Sequence, residues 1–153
     1  MLTNFEIMQS PLGSKVNFFF DAVAFNLKNR KKLKRFINYI FKTEKADLRS
    51  INYIFSTDNS LYKINRKYLN HNSLTDIITF DLSEKNQPIE ADVYISIDRV
   101  KENALDLQTS FNKELHRVIF HGSLHLCGFK DKSMTQKQIM RNKEDYYLSK
   151  YFS

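Results

Sequence analysis

Cysteine, glycine, proline and tryptophan are scarce in this chain: of 153 residues, one is Cys, three are Gly, two are Pro and none is Trp. The single thiol, Cys127, excludes an internal disulfide, so no disulfide partner is expected and a reducing, cytoplasmic setting fits. So few glycines and prolines leave little material for linkers, and one domain is expected at this length. Long apolar runs are missing too. The richest, Val16 to Leu27, is broken by Asp21 and Asn26, well short of the ~20 residues that cross a bilayer, so no membrane partner is expected. The first residues carry Glu6 and no basic segment ahead of an apolar core, which excludes the pattern of a secretory signal there.

What the chain does have is aromatic bulk and positive charge. Thirteen Phe and eight Tyr point to an aromatic-rich core. A net charge of +7 and a pI near 9.4 fit a polyanionic partner, although solubility alone explains the same balance.

The pattern along the chain predicts one α+β domain, residues 15–153, after a poorly patterned extension, 1–14. Val16 to Phe20, Ile51 to Ser56, Asp76 to Leu82 and Ala91 to Ile97 read as strands, with a turn-rich segment from Ser83 to Glu90. Asn29 to Thr43 has apolar residues at Leu33, Phe36, Ile37, Ile40 and Phe41, the spacing of an amphipathic helix. Its other face carries Arg30, Lys31, Lys32, Lys34 and Arg35, either a solvated face or a contact for RNA phosphates. Asn59 to Leu69 reads as a helix capped by Asp58 or Asn59, and Asp98 to Leu107 and Phe111 to Cys127 as two more. Ser133 to Phe152 holds a last helix with Ser133 or Thr135 as cap. This order predicts a small mixed β-sheet covered by helices.

The chemistry concentrates in His121-Gly-Ser-Leu-His125-Leu-Cys-Gly128-Phe-Lys-Asp131. Residues at i and i+4 share a helix face, their Cβ atoms about 5–6 Å apart, so both imidazoles can reach one ion. Gly128 can take the left-handed conformation that ends a helix. Asp131 then has the reach to supply a third ligand from outside the helix. Three protein ligands with a fourth position open is how catalytic zinc sites are built. The other candidates fit less well. His116 points roughly 140° away from His121 around the helix, and His71 lies in a polar loop. Cys127 reads as a small buried side chain.

Three reaction classes share this ligand set. A zinc peptidase places a glutamate general base directly after the first histidine, but Gly122 stands there. Glu114 is about 10 Å along the helix and too far to replace it. A two-histidine, one-carboxylate iron oxygenase is compatible with the ligands, with nothing else in the chain to support it. Hydrolysis of another substrate class remains.

The segment His121 to Asp131 resembles the H-G-x-L-H-L-x-G-[FY] signature of the YbeY-type rRNA maturation endoribonucleases. Leu74-Thr-Asp-Ile-Ile-Thr-Phe80 is similar to the family's T-[DN]-[VI]-L-S-F strand, Ala91 to Ile97 to its G-D-I-x-I strand, and Asn65 to Tyr68 to its N-x-x-Y segment. The resemblance covers roughly residues 15–150. It implies a single-strand-specific endoribonuclease that matures the 3′ end of small-subunit rRNA and acts in ribosome quality control. Precursor rRNA and the small ribosomal subunit are the implied partners, and one zinc ion per chain, held by His121, His125 and Asp131, the implied cofactor. A zinc metallopeptidase-like hydrolase and a non-catalytic, zinc-stabilised ribosome assembly factor are the alternatives.

Two positions depart from the family pattern. Asp131 replaces the usual third histidine, which adds one negative charge and should make the site a weaker Lewis acid. Leu69 replaces the arginine taken to hold the phosphate. Arg117, one turn before His121, is the expected substitute beside the two histidines, with an ion pair to Glu114 as its competing role. Lys130 and Lys132, which flank Asp131, and Thr75 are further candidates for RNA contact.

Overall fold

A computed structural model describes residues 15–70 and 73–153. The expected extension, 1–14, and His71 lie outside the described residues. The elements are β1 (Val16–Phe20), α1 (Arg30–Thr43), β2 (Leu48–Ser56), α2 (Asp58–Leu69), β3 (Ile77–Asp81), β4 (Ile89–Ser96), α3 (Ile97–Asp106), α4 (Phe111–Leu126) and α5 (Met134–Tyr151). The strands form one sheet in the order β1-β2-β4-β3. β1 and β4 run parallel to β2, and β3 runs antiparallel to β4. The sheet is mixed, as the sequence predicts.

Alternation along the central strands sorts their side chains into two cores. Ile51, Tyr53 and Phe55 of β2, with Ala91, Val93 and Ile95 of β4, join the larger core against α1, α4 and α5. Ile54 and Tyr94 point the other way and meet Leu61 of α2 and Ile78 of β3. Helix α1 buries Leu33, Ile37, Ile40 and Phe41; burial of each such side chain is worth roughly 1.5–3 kcal/mol relative to exposure. Its basic face is partly engaged locally. Lys32 Nζ donates to the Tyr151 carbonyl at 2.7 Å and sits 4.4 Å from that ring's centroid, and Arg30 lies over Phe20.

The main departures from the expected boundaries have tertiary causes. β2 begins at Leu48 because Leu48 is buried and pairs with Ile89, while Arg49 and Ser50 disguise the strand at an irregular register. β4 correspondingly begins at Ile89. Helix α2 is capped by Thr57, whose Oγ1 accepts from Ser60 N at 3.2 Å, rather than by Asp58 or Asn59. Asp58 is the first helical residue and accepts from Ser96 Oγ at 2.6 Å and from Arg99 Nη2 at 2.9 Å. α5 opens at Ser133 with a full capping box closed by Gln136; Ser or Thr at such a cap contributes ~1 kcal/mol.

Candidate metal centre

Helix α4 carries the histidine pair, and both of its ends are chemically defined. Ser110 Oγ accepts from Lys113 N at 3.1 Å at the start. At the other end Gly128 takes φ +101°, so Phe129 N donates to the Leu124 carbonyl and Gly128 N to that of His125. Those two bonds make a Schellman turn, which needs a residue tolerant of left-handed φ at Gly128. The same turn swings the Phe129 carbonyl onto the His125 ring, whose Nδ1 lies 2.9 Å from it.

The middle of α4 lies close against the sheet at Gly122. A Cβ there would stand 2.8 Å from Ile77 Cδ1 and 3.2 Å from Val93 Cγ1. The position that carries the catalytic glutamate in zinc peptidases is therefore buried against β3 and β4. Gly122→Glu is expected to lower the unfolding free energy by ~3 kcal/mol or more, because it overpacks the interface and buries a carboxylate. Gly122→Ala should cost no more than ~1 kcal/mol, since Ile77 Cδ1 can swing aside and Ala favours the helix. Urea denaturation of the two variants checks the ordering.

The predicted ligands converge. His121 Nε2 and His125 Nε2 are 2.9 Å apart, and Asp131 Oδ2 lies 3.4 Å from the first and 3.3 Å from the second. The remaining ring nitrogens fix the protonation pattern. His121 Nδ1 is 2.8 Å from Glu144 Oε2, and His125 Nδ1 faces the Phe129 carbonyl. A carbonyl only accepts, and the Glu144 carboxyl held by Arg117 offers an acceptor oxygen, so both Nδ1 atoms are placed to donate a proton. With each ring neutral, both Nε2 atoms then present lone pairs, to each other and to the Asp131 carboxylate. Three lone-pair atoms facing one another at these distances repel unless a shared proton or a metal ion sits among them. The donor set therefore fits a divalent metal held by two nitrogens and one oxygen, open to solvent: the three side chains retain 22%, 29% and 40% of their exposure.

Glu144, which the sequence reading missed, is the buried partner that orients His121. Its side chain is 7% exposed, and Arg117 Nη1 holds its other oxygen at 3.2 Å. Burial by itself lowers the His121 pKa, but the hydrogen bond and charge of Glu144, with Asp131 and Asp76, outweigh it and raise it. Asp76, at the mouth of β3, shares the cleft; burial raises its pKa against the pull of His121, and it accepts from Asn103 Nδ2 at 3.1 Å.

The other expected site residues fall as follows. Arg117 lines the cleft with His121, but three carboxylates surround its guanidinium: Glu144, Asp145 at 2.9 Å, and Glu114 at 3.6 Å. The anticipated Glu114 pair is thus present. Lys130 and Lys132 are exposed beside Asp131. Thr75 donates its hydroxyl to the Ile77 carbonyl at 3.1 Å. His116 is buried, stacked on Tyr151 and bonded to the Asn112 carbonyl, away from the metal centre. Cys127 is partly buried, which pushes its thiol up to about 12 and keeps it neutral.

This architecture is shared. A solution structure of a protein from Thermotoga maritima matches it with a TM-score of 0.60, covering 90% of this chain and 89% of that one at 24% identity, a likeness of fold. In sequence, an endoribonuclease YbeY of Cytophaga hutchinsonii is 47% identical over 132 residues, 86% of this chain and 92% of the relative. Another, of Amoebophilus asiaticus, is 40% identical over 88% of this chain and 92% of its own length. The family model described as endoribonuclease YbeY matches residues 20–152. With such identities sustained along nearly the whole of both chains, the protein belongs to the endoribonuclease YbeY family.

Proposed function

We propose that the protein is a zinc-dependent endoribonuclease that cuts single-stranded RNA, working in the cytoplasm on precursor rRNA of the small ribosomal subunit near its 3′ end. The observation that carries the reading is the convergence of His121, His125 and Asp131 as three lone-pair donors with both Nδ1 protons already committed. The activity named for the relatives, and the net charge of +7, suit an RNA substrate.

In this reading His121 and His125 hold the ion through Nε2 and Asp131 holds it through a carboxylate oxygen. The ion supplies Lewis-acid polarisation of the phosphodiester and activation of a water or of the RNA 2′-hydroxyl. Glu144 keeps His121 in the tautomer and ring orientation that binding requires, and Arg117 keeps Glu144 in place. Asp131 lends the site one negative charge more than a histidine would, which lowers its electrophilicity and widens the metals it accepts to include manganese.

Gly122 speaks against the peptidase alternative, since no general base can stand there. Incubating the metal-loaded protein with single-stranded precursor rRNA and, separately, with casein tests the choice. RNA cleavage abolished by a chelator, with casein intact, is expected; metal-dependent casein cleavage without RNA cleavage contradicts the reading. Product ends bearing a 2′,3′-cyclic phosphate would assign the attack to the 2′-hydroxyl.

A further inference from the structure

The family arginine replaced by Leu69 leaves the question of what holds the substrate phosphate. The guanidinium of Arg117 is a poor answer: it is 16% exposed and lies among three carboxylates. Two other basic side chains line the same cleft of about 360 Å³ with His121 and Asp131: Lys137 and Arg141. They sit one turn apart on α5, so their side chains share a face. Arg141 is 46% exposed, and its ion pair to Glu144 is loose, at 3.6 Å. Lys137 is exposed and makes no ion pair among the described residues. Arg141 also lines an adjoining cavity of about 370 Å³ that runs on to Lys113, Thr109 and Gln108, with Arg117 and Glu114 shared by the two. One groove therefore leads from the ligand cluster past Arg141 along α5.

Charge explains why these two side chains matter. Asp76, Glu114, Asp131 and Glu144 place four carboxylates in the cleft against Arg117, Lys137 and Arg141. A divalent ion reverses that balance, and of the three cations that line this cleft the two on α5 are the ones not enclosed by carboxylates. We propose that Arg141 and Lys137 form the phosphate subsite of this enzyme, gripping the RNA backbone next to the bond held at His121, His125 and Asp131. Arg141 takes one phosphate through its planar guanidinium and Lys137 takes a second as a point charge. The inference rests on the endoribonuclease reading above.

The test is the affinity of a fluorescent 2′-O-methyl oligoribonucleotide, which keeps every phosphate, for zinc-loaded protein at salt concentrations across the physiological range. Arg141→Ala and Lys137→Ala should each flatten the slope of log affinity against log salt by about 0.7, a roughly fivefold loss of affinity at 0.1 M salt. Arg141→Lys should restore the slope, which a purely structural role for Arg141 would not produce. Zinc content and thermal midpoint of the variants should match the parent. A double variant, Lys137→Ala with Arg141→Ala, that folds, binds zinc and keeps the parent's slope overturns the subsite while leaving the nuclease intact. Parent protein that binds zinc yet neither binds nor cuts RNA overturns the reading beneath it.

Discussion

Replacing His121 by alanine is expected to empty the metal centre and to reduce RNA cleavage by ~10³-fold or more, taking Lewis-acid help as about 4 kcal/mol of barrier. The expectation follows from the ligand count. His121 supplies one of three converging donors, and the two left, His125 Nε2 and Asp131 Oδ2, cannot close a catalytic coordination sphere. The fold should survive, because the His121 side chain is 22% exposed and belongs to neither hydrophobic core. Glu144 loses its histidine in the variant but keeps Arg117 and Arg141. Metal content by elemental analysis, circular dichroism and a cleavage time course on the same preparation check all three points. Cleavage that persists undiminished with the metal gone would contradict a metal-dependent nuclease.

Glu144→Ala is expected to weaken metal binding by roughly 10- to 100-fold, the usual cost of removing a carboxylate that orients a ligating histidine. Without Glu144, His121 Nδ1 has no acceptor to hold its proton, and the ring is free to turn and to exchange tautomers. The variant also leaves Arg117 short of one carboxylate; Asp145 and Glu114 remain, so the stability loss should be about 2 kcal/mol. Glu144→Gln separates orientation from charge, since its amide oxygen still accepts from Nδ1 and should recover a good part of the affinity. Nitrogen chemical shifts of His121 in metal-free protein report the tautomer directly. At a pH above the raised His121 pKa, a single Nδ1-protonated form in the parent that becomes a mixture in Glu144→Ala is the predicted signature. Unchanged metal affinity alongside lowered stability would make Glu144 a purely structural member of the Arg117 cluster.

The ligand set was legible because its signals are local. Two histidines at helical spacing, a glycine at the turn and a carboxylate three residues on all lie within one short segment, and backbone geometry alone brings them together. Gly122 was legible as a missing base, but its reason was not. That reason depends on Ile77 and Val93, which the sheet delivers from far along the chain. Glu144 was hidden for the same cause: it lies on the next helix and reaches His121 only because α5 packs beside α4. A faint signal existed, since Glu144 falls in the buried stripe of α5 with Met140, Tyr147, Leu148 and Tyr151. A carboxylate in such a stripe needs a partner. Arg117 was placed correctly on the ligand side of α4, yet spacing foresaw only Glu114 among its three carboxylates.

The strand and helix boundaries failed where polar side chains compete for the same role. Thr57, Asp58 and Asn59 are all good caps, and the choice falls to Thr57 because the Asp58 carboxylate is engaged by Ser96 and Arg99. Leu48 opens β2 three residues early because its partner, Ile89, is set by the parallel register with β4. Both outcomes are tertiary, and neither is visible in propensity.

The most direct test of the metal-dependent nuclease is reconstitution. Protein stripped with a chelator should not cut single-stranded rRNA precursor, and stepwise addition of zinc should restore cleavage in proportion to metal bound, saturating at one ion per chain. Full cleavage by the stripped protein, or one bound zinc with no cleavage of RNA, would contradict the account.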